Sequence, residues 1–173
     1  MSNLVLAFPS EEMELKAIDF KQEFFDNGEH IIPGSYKWDM NHYNYSDWLQ
    51  MIKDNLIEAT VNPKFGVSQT YFAIDEGKII GIINFRHILT DFYKDSGHIG
   101  YSVRPTERKK GYATEILKKV LEIAKKLEFS EVYLVCNKNN EASRKTIQKN
   151  RGILNRTFVC NDIEKEEYRI NLQ

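Results

Sequence analysis

Cysteine is scarce in this chain: Cys136 and Cys160 are the only two, and they form no C-x-x-C pair. A disulfide framework and a metal site are therefore not expected. Each cysteine stands in an apolar, strand-like run, where a buried structural thiol is weighed against a reactive one. Long apolar runs are also missing, none approaching the roughly 18 residues of a bilayer span. Met1 to Pro9 has neither a basic leader nor an apolar segment ending at a small-residue cleavage site, so the expectation is a cytoplasmic protein with no membrane partner. Excess charge is absent as well. The chain has 24 Lys and Arg against 25 Asp and Glu, a net charge of -1, which argues against general nucleic-acid binding. There is no P-loop and no G-x-G-x-x-G, so nucleotide enzymes of those types have no support. No repeat, low-complexity tract or linker divides the 173 residues, a length that suits one domain.

The chain is rich in periodic apolar segments. Leu4 to Phe8 reads as a short strand, and Ser10 offers a hydroxyl cap to a helix carrying Met13, Ala17, Phe20 and Phe24. From Asp26 to Tyr45 the pattern gives way to an aromatic-rich loop with Tyr36, Trp38 and Tyr43. Ser46 can cap a second helix, with Trp48, Leu49, Ile52 and Leu56 on one face and Asn62-Pro63 as its end. Thr70 to Ile74 and Ile79 to Ile88 form a hairpin across Asp75-Glu76-Gly77-Lys78, and a third strand follows from His98 to Val103. Lys109 to Leu127 places Ala113, Ile116, Leu117, Val120, Leu121, Ala124 and Leu127 on one stripe of period 3.6, the strongest helical signal present. Glu131 to Cys136 predicts a buried strand, Asn140 to Asn150 a helix begun by an Asn cap, and Ile153 to Cys160 and Glu164 to Leu172 two closing strands. A strand-helix-strand unit set among hairpins predicts an α/β (α+β) fold with a mixed, mostly antiparallel sheet flanked by helices.

The chemistry is concentrated between His98 and Thr114. Arg108, Lys109 and Lys110 stand where the strongest helix begins, a position disfavoured by the positive end of the helix dipole unless an anion joins them. Gly111 and Ala113 would let a phosphate reach the first-turn amides. A helix end of solvated charges, with Glu107 as neutraliser, is the plain alternative.

The spacing R-x-x-G-x-A, formed by Arg108, Gly111 and Ala113 after a strand ending Val103-Arg104-Pro105, resembles the acetyl-CoA pyrophosphate loop of the GNAT superfamily of N-acetyltransferases. Asn140-Glu-Ala-Ser143 is similar to the family's Asn-x-x-Ser helix beside the pantetheine arm. The surrounding elements stand in the family's order over about residues 70 to 172. The resemblance implies a GNAT-like sheet of six to seven strands with about four helices. It implies one domain over 1–173, with 1–65 as a helical acceptor-recognition part and 70–172 as the acetyl-CoA-binding core.

Acetyl-CoA, the implied cosubstrate, would be held by Tyr101, Ser102, Val103, Arg108, Lys109, Lys110, Gly111, Tyr112, Ala113, Thr114, Asn140 and Ser143. The resemblance further implies direct attack of a primary amine in a ternary complex, with the Val103 amide polarising the thioester oxygen. His98 occupies the position at which some relatives carry a basic glutamate, and it is equally a candidate for a structural histidine. Glu29, Asp39 and Tyr168 are weaker alternatives as base. Glu29, Tyr36 and Trp38 are candidates for contact with the acceptor, and the same aromatics are candidates for core.

Ile147 stands where many relatives have a tyrosine acid. It leaves open which group, if any, protonates the leaving thiolate. A noncatalytic acetyl-CoA-binding regulatory module is the alternative function, and a homodimer is compatible with the chain. The acceptor amine is not legible.

Overall fold

The computed structural model describes residues 2–40 and 42–173. These residues form seven strands and four α-helices. β1 (Val5–Ala7) precedes α1 (Glu14–Asp26) and α2 (Tyr45–Asp54). β2 (Ser68–Asp75), β3 (Lys78–Arg86) and β4 (Ile99–Val103) lead to α3 (Tyr112–Lys126), followed by β5 (Glu131–Asn137), α4 (Glu141–Lys149), β6 (Ile153–Cys160) and β7 (Ile163–Asn171). The α/β class, the helix count and the order of elements agree with the expectation.

The sheet differs in one respect that matters for function. Instead of one continuous sheet, the strands make two, β1-β2-β3-β4 and β5-β7-β6, and every ladder in both is antiparallel. They meet at an isolated bridge, Gly97 to Leu134, and at His98, whose amide donates to the Tyr133 carbonyl at 2.7 Å.

Two apolar clusters cover the sheets. One joins Ile116, Leu117, Val120, Leu121 and Ala124 of α3 and Ile147 of α4 to Ile83, Phe85, Ile99, Val132 and Leu134 on the strands. The other joins Ala17, Phe20 and Phe24 of α1 and Trp48, Leu49 and Ile52 of α2 to Phe72 and Ile82. Each fully buried large side chain contributes about 1.5–3 kcal/mol. Arg104, 3% exposed, ties α1 to the hairpin: Nε donates to the Ile79 carbonyl at 2.8 Å and Nη1 to Asp19 and Glu23, each at 2.9 Å. A guanidinium so enclosed offers nothing to a nucleic-acid phosphate.

Several helix ends depart from expectation. Ser10 makes no side-chain cap. Its residue opens a 3-10 turn over Glu11–Met13, and its carbonyl takes the Tyr45 hydroxyl at 2.8 Å. Asn44 rather than Ser46 caps α2, accepting from the Asp47 amide at 2.8 Å. That helix stops at Asp54, well before Asn62: the Leu56 amide turns back to the Lys53 carbonyl at 3.1 Å, and the Thr60 hydroxyl donates to the Asp54 carbonyl at 2.7 Å. Leu56 consequently lies outside the helix and 37% exposed. Among the described residues no helix is long and apolar enough to cross a membrane.

Candidate active site

Where the two sheets part, the alternation of the ladders decides which backbone groups face the gap. The Arg86 amide bonds the His98 carbonyl and the Arg104 amide bonds the Ile80 carbonyl. In an antiparallel pair, bonded and non-bonded positions alternate, so the N–H and C=O of Ile99, Tyr101 and Val103 point away from β3. The same parity on β5, set by Lys138 to Glu164 and Leu172 to Ser130, turns Tyr133, Val135 and Asn137 away from β7. At the Tyr133 end this row is closed by His98. Farther along, Tyr101 and the Val103 amide on one side and Asn137 on the other line a cleft of about 800 Å³ with no ladder between them.

The mouth of the cleft is the turn before α3. Lys109 and Gly111 adopt φ of 62° and 87°, the left-handed region that favours glycine, and a Cβ built on Gly111 would meet nothing within 4 Å. Helix α3 starts at Tyr112, with its first amides unpaired along the chain and directed at this space. An anion is well received there, although two of the three cations are already engaged. Arg108 donates to both carboxylate oxygens of Glu29 at 2.7 and 2.8 Å and to the Val103 carbonyl at 3.1 Å. Lys110 and Lys78 grip Glu107 at 2.8 and 2.6 Å. Arg108 holds the Glu29 carboxyl below its usual range, and the two lysines do the same for Glu107. Lys109 is the cation left without a carboxylate partner among the described residues.

Of the cofactor residues expected from sequence, Tyr101, Ser102, Val103, Arg108, Lys109, Gly111, Tyr112, Ala113, Thr114, Asn140 and Ser143 line the one cleft, and Glu29 joins them. Lys110 stands outside it, turned to Glu107. Asn140 caps α4 by accepting from the Ser143 amide at 3.1 Å, and the Ser143 hydroxyl lies 3.1 Å from the Tyr101 hydroxyl. Burial pushes the Tyr101 phenol up, so it stays protonated. Cys136 also faces the cleft, its thiol raised by burial beside Glu166. Sequence reading gave Cys136 no ligand contact, and only its alternation within β5 could have suggested one. Ile147 is a core side chain, 1% exposed.

His98 is placed differently. It lies outside the cleft lining and is 9% exposed, its ring stacked on Tyr133 with centroids 5.9 Å apart. Its Nδ1 accepts the Tyr133 amide at 3.0 Å. A neutral ring accepting at Nδ1 carries its proton on Nε2, so no lone pair is left for an amine. Burial lowers its pKa, and the Arg86 charge lowers it further. In this geometry His98 links the two sheets, with its Nδ1 lone pair committed to the Tyr133 amide.

Tyr36 and Trp38 are also core, 8% and 2% exposed, with Trp38 stacked on Trp48 at 4.7 Å. Asp39 accepts the Ile32 amide at 2.8 Å, and the Tyr168 hydroxyl donates to Glu166 at 2.6 Å.

The GNAT acetyltransferase domain model matches residues 4–152, and the chain belongs to that family of acetyltransferases. Among solved structures it is similar to the microcin C7 self-immunity acetyltransferase MccE in complex with acetyl-CoA and AMP, at TM-score 0.69 and 19% identity over 97% of this chain and 92% of that one. It is similar to the ribosomal L7/L12 α-N-protein acetyltransferase RimL in complex with coenzyme A, at TM-score 0.69 and 13% identity over 97% and 93%. The structure of yncA from Salmonella typhimurium with its cofactor acetyl-CoA matches at TM-score 0.67 and 11% identity over 98% and 94%. Among curated proteins no sequence matches.

Proposed function

We propose that the chain transfers the acetyl group of acetyl-CoA to a primary amine by direct attack in a ternary complex. The observation that carries this reading is the set of unpaired backbone groups facing the gap among the described residues, the N–H and C=O of Tyr101 and Val135 and the amides of Val103 and Asn137, opening onto the unpaired amides at Gly111 to Thr114. An extended ligand with amides in its arm and phosphates at one end matches that order of groups. When bound, acetyl-CoA supplies an activated acyl thioester. The Val103 amide points into the gap and donates to the thioester oxygen, where negative charge grows. Gly111, the first α3 amides and Lys109 hold the phosphates. Tyr101 and Ser143 present hydroxyls on the α4 side of the cleft, where a departing sulfur can be hydrogen-bonded in place of the tyrosine that Ile147 replaces. No unpaired carboxylate lines the cleft among the described residues, so attack draws on the neutral fraction of the amine, and its proton leaves to solvent.

The test is thioester consumption over a panel of amines, with Gly111→Asp as the probe of the site. The added carboxylate repels phosphate and occupies its space, and acetyl-CoA affinity should fall by about 100-fold or more. Unchanged calorimetric affinity in a folded variant would overturn the assignment. Acetyl-CoA binding without consumption by any amine would favour a noncatalytic module, which the displaced His98 and the buried Ile147 keep in view.

A further inference from the structure

On the face of β4 opposite Tyr101, one guanidinium lacks a counter-charge. Arg86 is half-buried at the end of β3. Its Nη1 donates to the Gly97 carbonyl at 2.8 Å, its Cζ lies 4.4 Å from the centre of the Tyr93 ring, and its Nε is buried with no partner. No carboxylate pairs with it among the described residues. The two residues outside that description, Met1 and Asn41, carry no side-chain carboxylate. Taking a charge out of water without a partner costs several kcal/mol in general. Pinning Gly97 needs one of the five N–H groups of the guanidinium, and a neutral donor could serve there.

Two more cations without carboxylate partners stand on the aromatic rings next to Tyr93. Tyr93 and Phe92 pack on Phe65, at 6.2 and 5.0 Å, and Phe65 packs on Tyr36 at 6.3 Å. Lys37 Nζ sits 3.9 Å from the centre of the Phe65 ring, and Lys64 Nζ lies 5.6 Å from Phe65 and 5.1 Å from Phe92. Neither lysine has an acidic partner among the described residues. Burial lowers the pKa of Lys37 and the nearby charge of Lys64 lowers it further, so the two repel. Three cations without carboxylate partners along one run of aromatic rings favour an anion there.

This place adjoins the transfer cleft. Arg86 Nη2 would lie 3.2 Å from a Cβ built on Gly100, a residue that lines the cleft. From Gly100 to the Val103 amide is three steps of strand, on the order of 10 Å.

We propose that Arg86, Lys37 and Lys64 bind an anionic group of the acceptor, so that the acceptor class is an amine carrying a carboxylate or phosphate on the order of 10 Å from its nitrogen. The proposal rests on the transfer reading above and deepens it by naming the substrate class. The carboxylate or phosphate completes the Arg86 guanidinium, the lysines add to its attraction, and the amine end reaches the thioester beside Val103.

The experiment is calorimetric binding of two matched pairs to the intact protein: trialanine against trialanine amide, and aminohexyl phosphate against aminohexanol. At least one anionic form should bind about 10-fold or more tightly than its neutral partner, the scale of a charge-assisted hydrogen bond. Whichever pair shows the larger ratio identifies the anion. Lys37→Glu with Lys64→Glu should remove that preference, and so should Arg86→Gln. Equal affinity within both pairs, no binding of any of the four, or a preference surviving both sets of substitutions overturns the proposal. Acetyl-CoA titration in parallel separates the two readings. Failure to bind acetyl-CoA defeats the transfer reading, whereas acetyl-CoA binding with no preference for anions defeats only this one.

Discussion

His98 carries a structural bond that its residue type and position alone do not reveal. Its ring is acceptor to the Tyr133 amide while its own amide donates to the Tyr133 carbonyl. The bond at Nδ1 requires the neutral ring. Because the folded state lowers the pKa of His98, the unfolded chain takes up a proton first as pH falls below the ordinary value of about 6.5. Stability due to this residue is therefore full above that pH and is lost as pH falls toward the lowered folded value, at no more than about 1.4 kcal/mol per pH unit. Chemical denaturation between pH 7 and 5 should show this slope, and His98→Gln should flatten it while costing about 1–3 kcal/mol at neutral pH. Acetyl transfer by the variant should keep the acid limb of the wild type, which follows the amine. A vanished limb would return His98 to the role of base. From sequence, position and residue type were visible, but the bond to Tyr133, 35 residues away, was not. The same holds for Glu29, whose pairing with Arg108 across 79 residues removes both from the pool of unpaired charges.

At the scale of the element, the segment between α1 and α2 packs on β4 at Gly100 and Ser102. Gly34, at φ 85°, packs directly on Gly100: a Cβ there would meet the Gly100 carbonyl oxygen at 2.5 Å. The Ser102 hydroxyl donates to the Pro33 carbonyl at 2.7 Å beside it. Gly34→Ala should therefore exceed the roughly 1–2 kcal/mol of a left-handed alanine, since the clash is with backbone that cannot rotate away. A fall in denaturation midpoint with unchanged slope would show it, and the same variant should lower transfer more than acetyl-CoA affinity. A loss no larger than the conformational cost would mean the loop lifts freely from β4. Composition showed this stretch as an aromatic loop and left its fate between core and acceptor contact. The structure sends Trp38 and Tyr36 inward, because two indoles stacked on each other and tilted against Phe72 bury far more apolar surface than a cleft wall would. The long helix α3 and the turn before it were legible, since both are written in consecutive residues. The end of α2 was not, because the Leu56 amide turns back to Lys53 although the apolar period continues through Leu56.

For the whole molecule, the division into two sheets is what an ordered list of strands could not convey. Periodicity identifies a strand but not which neighbour takes its bonds, and β4 and β5 are each satisfied on one side only. A ligand laid between them would complete both edges and join bodies otherwise linked at Gly97, His98 and Tyr133 along this seam. Binding should then register at particular amides. In hydrogen exchange, saturating acetyl-CoA should slow Val103 and Tyr101, whose N–H groups face the gap, more than Ser102, which already points at β3. Global stability should rise as well, by about 2.7 kcal/mol at 100 times the dissociation constant, and a uniform rise alone would slow all three amides alike. The alternating pattern is therefore the diagnostic result: slowing at 101 and 103 beyond that at 102 places the ligand as a surrogate strand, while equal slowing places it elsewhere and removes the Val103 amide from the chemistry.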